Sequence, residues 1–321
     1  MIAAPTRPHL AWIGLGALGT PMAHNLLAAG YPLTVFNRTR SRCEPLRDAG
    51  ARVADSAAEA AQGAEVLLLC VSDDRAAEAV LLGPTNTPAS KPHAKQDNQH
   101  CPQFRTGRTD LGAAVIDVLS PGALVIDCST IAPAASRRLA ATLAERGIHY
   151  IDAPVTGGTE GARAGTLSVL VGGAPEHLER AQPLLEALGS AITHFGPVGA
   201  GQEAKAVNQV LVAGSYAAVA EALSLAERLG LNRTQVVEAL KGGAAGSWAL
   251  EHRSAPMIND HYPLGFKLEL HRKDLAIALD AAAAQALELP VSQLVAAMED
   301  ALLADGHGEL DVSALARWFR S

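Results

Sequence analysis

A glycine-rich turn directly after a short apolar run is the strongest constraint in this sequence. The run Leu10-Ala-Trp-Ile13 leads into Gly14-Leu-Gly16-Ala-Leu-Gly19, and a helical stretch follows over Pro21–Ala29. In such a unit the three glycines permit a tight turn, close approach of a pyrophosphate, and close packing of helix on strand. Unpaired N–H groups at the helix start then hold the phosphates. The turn therefore predicts a dinucleotide site at Gly14, Leu15, Gly16, Ala17, Leu18 and Gly19.

The chain from residue 10 to about residue 195 alternates short apolar runs with alanine-rich helical stretches. Several runs are apolar throughout, as in strands that are covered on both faces. Repeated strand–helix–strand order predicts an α/β fold with a doubly wound parallel sheet, an N-terminal Rossmann domain. The predicted strands are Leu10–Ile13, Leu33–Phe36, Val66–Val71, Leu124–Asp127, Tyr150–Ile151 and Leu167–Val171.

The rest of the chain has the pattern of an all-α domain. A stretch from Gln202 to Leu229 is apolar all round the helical wheel and predicts a long buried helix that joins the domains. Helical patterns follow near Thr234–Lys241, Lys267–Ala286 and Pro290–Ala304. We expect a dinucleotide-binding domain over residues 1–197 and an all-α domain for substrate and dimerisation over residues 198–321.

Residues 83–112 interrupt this organisation, since they are polar and have no apolar period. They predict a flexible surface insertion without a function of its own. A basic lid over a cofactor phosphate, built from Lys91, Lys95, Arg105 and Arg108, is the alternative.

Composition narrows the classes of function. The 321 residues carry a formal net charge of −7 and are 49% hydrophobic, which argues against nucleic acid or an anionic membrane as a partner. The N-terminus is too polar for a signal peptide, and we find no apolar run of the ~20 residues that span a bilayer, so we expect a cytoplasmic protein. The four cysteines have no metal-binding spacing, so we expect no metal.

The end of the second predicted strand bears on the choice of cofactor. Asn37-Arg38-Thr39 stands where an NAD site would place a carboxylate for the ribose 2′-hydroxyl. Arg38 and Thr39 can instead bind a 2′-phosphate, which favours NADP and leaves NAD open. The alternative is that Arg38 is a solvated surface charge.

Hydroxyl groups follow two further strands, at the edge of the sheet where ligands bind. Val71-Ser72 ends one strand and Ser129-Thr130 ends another. We expect Val71, Ser72 and Thr130 near the cofactor and Ser129 near the substrate. Alternatively, Asp127, Ser129 and Thr130 cap the next helix.

Three more segments carry the pattern of a reacting centre: Asp152-Ala-Pro-Val-Thr156-Gly157-Gly158, Gly199-Ala-Gly201-Gln-Glu-Ala-Lys205-Ala-Val-Asn208-Gln209, and His271-Arg-Lys273-Asp274. Together with the glycine-rich turn they resemble the β-hydroxyacid dehydrogenase family, which includes 3-hydroxyisobutyrate dehydrogenase and tartronate semialdehyde reductase. The resemblance runs from Trp12 to about Trp318, interrupted only by the insertion at residues 83–112. It implies an NAD(P)-dependent oxidoreductase acting on the CH–OH group of a short β-hydroxyacid or its semialdehyde.

The resemblance implies that Lys205 is the general acid and base and that Asn208 orients the substrate. Burial at the domain junction would lower the pKa of Lys205 toward neutrality, so that it gives a proton in reduction and takes one in oxidation. Asn208 shares a helix face with Lys205. Relatives often carry Asn at the next position, where this chain has Gln209, so the choice between the two amides stays open.

Other residues are assigned by the same resemblance. Thr156, Gly157 and Gly158 would bind the substrate carboxylate through a hydroxyl and backbone N–H groups. Lys273 would approach the cofactor, and Ser247 would line the substrate pocket. Taken singly, each has a plain structural explanation: a snorkelling lysine, a glycine turn, a solvated ion pair.

Competing functions remain within the same fold. A 6-phosphogluconate dehydrogenase would be longer, with His at the position of Asn208, and imine reductases usually lack the lysine. A non-catalytic NADP-binding regulator is the alternative of a different class. The long apolar helix also resembles family helices that pack against a partner subunit, so we expect a homodimer or homotetramer.

Overall fold

A computed structural model describes residues 7–83 and 113–320. The insertion predicted at 83–112 therefore lies, apart from Gly83, outside the described residues. The chain divides into two compact units, the first formed by Met1–Gly157 and Gly161–Gln202, the second by Gly158–Glu160 and Glu203–Ser321. The predicted boundary fell after residue 197, and the assignment of residues 158–160 to the second unit was not predicted.

The first unit is built on a mostly parallel sheet, which confirms the predicted α/β class. The strands are β1 (Leu10–Ile13), β2 (Leu33–Phe36), β3 (Arg52–Val53), β4 (Val66–Leu69), β5 (Leu124–Asp127), β6 (His149–Asp152), β7 (Val155–Thr156), β8 (Leu167–Gly172) and β9 (Gly189–Gly196). Their order in the sheet is β3-β2-β1-β4-β5-β6-β8-β7, and β9 pairs with β8. The neighbours from β3 to β6 pair in parallel.

A parallel sheet was predicted, but one strand departs from it: β8 runs antiparallel to β6 and β7. Only Ala153 and Pro154 separate β6 from β7, so the chain continues in one direction through both strands. Residues 157–166 then connect β7 to β8, which is too short for the crossover of about a dozen or more residues that a parallel strand needs, so β8 runs back along both. Strands β3, β7 and β9 were not predicted: two of them have two residues, and β9 is largely exposed.

Helices cover both faces of this sheet. They are α1 (Gly19–Ala28), α2 (Glu44–Asp48), α3 (Ala57–Ala61), α4 (Asp74–Leu82), α5 (Pro133–Ala144), α6 (Gly158–Ala164) and α7 (Pro175–Glu186). Alternate residues of a strand point to opposite faces. Accordingly Trp12 and Leu68 belong to one buried cluster and Ile13 and Leu67 to the other, so the unit has a core on each face.

The second unit is helical. It contains α8 (Ala200–Arg228), α9 (Arg233–Leu240), α10 (Trp248–Asn259), α11 (Leu268–Ala283), α12 (Pro290–Ala304) and a 3₁₀ helix (Val312–Arg320). Its core includes Tyr216, Leu250, Leu275 and Leu315. Helix α10 was not predicted, since Pro256 lies inside it and obscures its pattern.

The prediction that the long helix is buried on all sides was wrong. Val207, Leu211, Leu225 and Leu229 are 64%, 69%, 60% and 65% exposed. Helix α8 is also long and apolar enough to cross a membrane, which corrects the expectation that no such segment exists. Core helices meet the same criterion, and 39% of its most apolar stretch is buried within the chain, so the finding is weak evidence for a membrane.

Asp152, at the end of β6, fixes the start of α8. Its carboxylate accepts hydrogen bonds from the backbone N–H groups of Gly199, at 2.7 Å, and Gln202, at 2.9 Å. The side chain is fully buried, and burial raises the pKa of Asp152 to about 6 against the effect of these bonds. A carboxylate at a helix N-terminus satisfies N–H groups that otherwise have no partner.

We expect Asp152→Asn to lower the free energy of unfolding by about 2–3 kcal/mol, because an amide cannot accept both N–H bonds with its two terminal atoms. The exposed Asp117→Asn is the control and should change it by less than about 0.5 kcal/mol. Urea unfolding followed by circular dichroism measures both. Wild-type stability in Asp152→Asn would show that the carboxylate does not fix the helix.

Candidate active site

The glycine-rich turn has the shape of a phosphate-binding loop. Gly14 has a φ of +99°, and a Cβ there would lie 2.1 Å from the carbonyl oxygen of Cys70. A Cβ at Gly19 would lie 2.1 Å from the carbonyl oxygen of Gly14, so both positions require glycine. A Cβ at Gly16 would have no neighbour within 4 Å. The turn therefore leaves open space beside the start of α1, as a pyrophosphate requires.

Asn37 fixes this turn from the end of β2. Its Oδ1 accepts a hydrogen bond from the backbone N–H of Leu15 at 2.9 Å, and its Nδ2 donates to the carbonyl of Thr39 at 3.0 Å. Asn37 thus has a structural role in addition to any contact with cofactor. Arg38 and Thr39 are exposed, as a nucleotide ligand would need. Arg40 pairs with Asp55.

The residues after β4 and β5 are joined to each other. The hydroxyl of Ser129 accepts a hydrogen bond from the N–H of Val71 at 2.9 Å, and the N–H of Ser129 donates to Asp127. Ser129 is 2% exposed, whereas Ser72 is exposed and Thr130 half-buried. The ligand contacts predicted for these residues remain predictions. The alternative, that Asp127, Ser129 and Thr130 cap the next helix, does not hold, because α5 begins after Ala132 without a side-chain cap.

Thr156, Gly157 and Gly158 form an accessible loop. Gly157 and Gly158 have φ of +130° and +65°, which side chains rarely permit. Gly157 is exposed and Thr156 and Gly158 are half-buried. The loop can thus offer the hydroxyl of Thr156 and accessible glycine backbone to an anion.

An ion-pair network that was not predicted from the sequence includes Glu160, two residues after Gly158 in the chain. Arg253, only 8% exposed, donates to Glu160 at 2.7 Å, and its Nε lies 3.5 Å from Asp311. The fully buried Asp311 also accepts bonds from the N–H groups of Gly265 and Phe266. These residues are far apart in the chain, so no local pattern reveals the network.

Lys205 is buried, with 6% of its surface exposed. Burial lowers the pKa of Lys205 to about 8; the carboxylate of Asp274 opposes this shift, and the ammonium group of Lys273 adds to it. Desolvation outweighs the attraction of Asp274, so the amine exists in both protonation states near neutral pH.

The other predicted residues of the second unit lie around Asp274. Asn208 donates to Gln209 at 2.6 Å, Gln209 donates to Asp274 at 2.8 Å, and Lys273 pairs with Asp274 at 2.8 Å. The structure thus brings Lys205, Asn208, Gln209 and Lys273 together. Asp274 was not among the predicted site residues, although it lies in the quoted segment His271–Asp274.

Ser247 has a structural role that the residues around Asp274 do not share. Its hydroxyl accepts a hydrogen bond from the N–H of Leu250 at 3.1 Å and caps α10. Its predicted contact with substrate stays a prediction. In residues 7–83 and 113–320 no group of three or more His, Cys, Asp or Glu side chains is placed to hold a metal ion.

Two family models match the chain. The model described as the NAD binding domain of 6-phosphogluconate dehydrogenase matches residues 9–95 and 107–196. The model described as NAD-binding of NADP-dependent 3-hydroxyisobutyrate dehydrogenase matches residues 199–319. The two matches cover nearly the whole chain.

Several proteins named as dehydrogenases or reductases are similar to this chain over nearly their full length. A NAD-dependent L-serine dehydrogenase of Pseudomonas aeruginosa is 40% identical over 97% of both chains. A 2-hydroxy-3-oxopropionate reductase of Escherichia coli is 37% identical over 95% of both. The solved structure of 3-hydroxyisobutyrate dehydrogenase from Mycobacterium tuberculosis with L-serine has a TM-score of 0.80 at 31% identity, covering 98% of this chain and 100% of that one.

Proposed function

The chain belongs to the β-hydroxyacid dehydrogenase family and is a nicotinamide-dependent oxidoreductase that acts on CH–OH groups. On that premise we propose its reaction. It interconverts a short β-hydroxyacid and the corresponding semialdehyde, with NADP preferred and Lys205 exchanging the proton. The observation that carries the proposal is the buried amine of Lys205, whose pKa of about 8 suits a group that must both give and take a proton.

The proposed proton transfer uses Lys205 in both directions. In oxidation the neutral amine takes the hydroxyl proton while the carbon loses hydride and the C=O bond forms. In reduction the ammonium group protonates the alkoxide that hydride addition leaves. Nicotinamide, when bound, supplies or accepts the hydride. A solvent-exposed lysine, with a pKa of about 10.4, would be almost fully charged at neutral pH and a poor base.

The substrate class is inferred from the loop Thr156-Gly157-Gly158. Its hydroxyl and accessible glycine backbone suit one carboxylate. Relatives named for L-serine and for 2-hydroxy-3-oxopropionate fit the same description, a short acid with an oxygen function on the β-carbon. We propose a substrate of this class; the panel that identifies it is L-serine, 3-hydroxyisobutyrate and tartronate semialdehyde, together with succinate semialdehyde, whose aldehyde lies one carbon further from the carboxylate and which therefore stands outside the class.

The proposed cofactor preference rests on the end of β2. Gly14, Gly16 and Gly19 would hold the pyrophosphate, and Arg38 with Thr39 the 2′-phosphate. An exposed guanidinium can bind a phosphate through two parallel N–H bonds. The residues present also leave no carboxylate in the segment Asn37–Thr39 to repel that phosphate.

A second copy of the chain is the proposed partner, in the cytoplasm. Val207, Leu211 and Leu225 are spaced by about whole turns along α8, Leu229 follows directly after its end, and the four form an exposed apolar stripe. Monomers rarely expose large contiguous apolar surfaces. A membrane is the competing occupant of this stripe.

Replacing Lys205 tests the reaction. Lys205→Met keeps the length of the side chain but removes the amine, and should lower kcat by at least about 10²-fold while NADPH binding, followed by fluorescence, persists. The exposed Lys241→Met is the control and keeps wild-type turnover. Full turnover in Lys205→Met would contradict the proposal. Wild-type protein that binds the cofactor but neither oxidises the hydroxyacids nor reduces the semialdehydes of the panel would favour a regulator.

Replacing Arg38 tests the cofactor preference. Arg38→Ala should raise the KM for NADP by about 10- to 100-fold, since one or two charge-assisted bonds are lost, and leave the KM for NAD unchanged. Steady-state kinetics with both cofactors measure the ratio of kcat/KM. An equal change for NADP and NAD would mean that Arg38 does not read the 2′-phosphate.

Charging the stripe tests the partner. Leu211→Glu should shift the wild-type dimer or tetramer toward monomer in size-exclusion chromatography with light scattering, because a buried unpaired carboxylate is costly. Gln285→Glu, at an exposed position outside α8, adds the same charge as a control. A monomeric wild type, or recovery of the chain with membranes, would contradict the proposal.

A further inference from the structure

Two neighbouring amide side chains of α8 lie in different environments. Asn208 is half-buried, whereas Gln209 is 1% exposed. Both polar ends of the Gln209 amide are engaged: its Oε1 accepts a bond from Asn208 at 2.6 Å, and its Nε2 donates to Asp274 at 2.8 Å. Gln209 therefore connects a half-buried amide to a buried carboxylate.

We propose that Gln209 is a positioning residue, which bridges Asn208 to Asp274, and that Asn208 alone is presented to the substrate. The statement that Asn208 meets the substrate rests on the proposed function, whereas the bridge from Asn208 through Gln209 to Asp274 does not.

Helical spacing places the bridge next to Lys205. Residues four apart share a face of a helix, so Lys205 and Gln209 point the same way from α8. Gln209 reaches Asp274 of α11 from that face. The same carboxylate thus interacts with Lys205 electrostatically and with Gln209 by a hydrogen bond.

Asp274 needs this bridge because it is only 3% exposed. A buried carboxylate is costly unless it is paired and hydrogen-bonded. Lys273 pairs with its Oδ1 at 2.8 Å, and Gln209 donates to its Oδ2. An ion pair at one oxygen and a hydrogen bond at the other hold the negative charge in one place relative to Lys205, and the orientation of Asn208 is set by the same amide.

The bridge predicts that donor and acceptor can be exchanged. Asp274→Asn removes the charge that raises the pKa of Lys205, so the titration midpoint of the amine should fall by about one pH unit. Gln209→Glu adds a charge one helical turn from Lys205, so the midpoint should rise. In the reciprocal variant Asp274→Asn/Gln209→Glu, the new amide donates to the new carboxylate and one negative charge remains, so the midpoint should return toward the wild-type value.

The midpoint is measured without substrate. Only a neutral amine is acetylated, so the pH dependence of trace labelling of Lys205 by acetic anhydride, quantified by peptide mass spectrometry, gives its midpoint directly. The exposed Asp280→Asn and Gln285→Glu make the same chemical changes in the second unit and should leave it unmoved. The reciprocal variant keeps net charge and side-chain volume, so it decides the question even if a single variant fails to fold.

The KM for the acid substrate separates bridging from substrate contact. Gln209→Glu cannot donate to Asp274, so the charge-assisted bond that holds residue 209, and through it Asn208, is lost. KM should therefore rise by about tenfold or more, and the reciprocal variant should restore it. A restored midpoint without restored KM would mean that Gln209 touches the substrate, and would overturn the proposal. So would a reciprocal variant no closer to wild type than the worse single variant. A restored midpoint in a protein that turns over no acid of the panel would keep the bridge and reject the proposed function.

Discussion

Burial of one amine underlies the chemistry inferred for this chain. Taking Lys205 out of water destabilises its charged form, and that effect exceeds the attraction of the nearby Asp274 carboxylate. The result is a pKa of about 8, far enough below the usual value for both protonation states to be populated. A fully exposed lysine at the same position would leave the family assignment intact but remove the acid and base from the proposed mechanism.

The surrounding polar groups limit how far that pKa falls. Asp274 is held by Lys273 and Gln209, and Gln209 in turn holds Asn208. Each buried group thus has a partner that satisfies part of its hydrogen-bonding capacity. The start of α8, which carries Lys205, is fixed by a second buried carboxylate, Asp152, through backbone N–H groups. Two buried acids therefore determine where the helix begins and what charge its lysine experiences.

The parts of the fold that follow from local chemistry were predictable from sequence. Strands β1, β2 and β5 match their apolar runs residue for residue, because runs buried on both faces have few polar residues to blur their ends. Strand β9 and helix α10 were missed, since one is largely exposed and the other contains Pro256. The exposed stripe on α8 was also missed, because an apolar helix looks the same in sequence whether its own chain or another molecule covers it.

The candidate site was predictable only in part for a similar reason. Lys205, Asn208 and Gln209 lie within one segment, and their common face follows from helical spacing. The bond from Gln209 to Asp274, 65 residues away, and that from Arg253 to Glu160, 93 residues away, depend on tertiary packing that no local pattern encodes. Sequence alone therefore left open which amide meets the substrate, and our inference that it is Asn208 depends on hydrogen bonds of Gln209 that only the structure shows.

The pH dependence of kcat/KM, measured for oxidation and for reduction on the same protein, tests the central claim most directly. A lysine that must be neutral to take a proton and charged to give one predicts mirror-image profiles. Oxidation should rise and reduction should fall as pH increases through about 8. Profiles that move in the same direction, or that show no transition between pH values of about 7 and 9, would contradict the assignment of Lys205 as the acid and base.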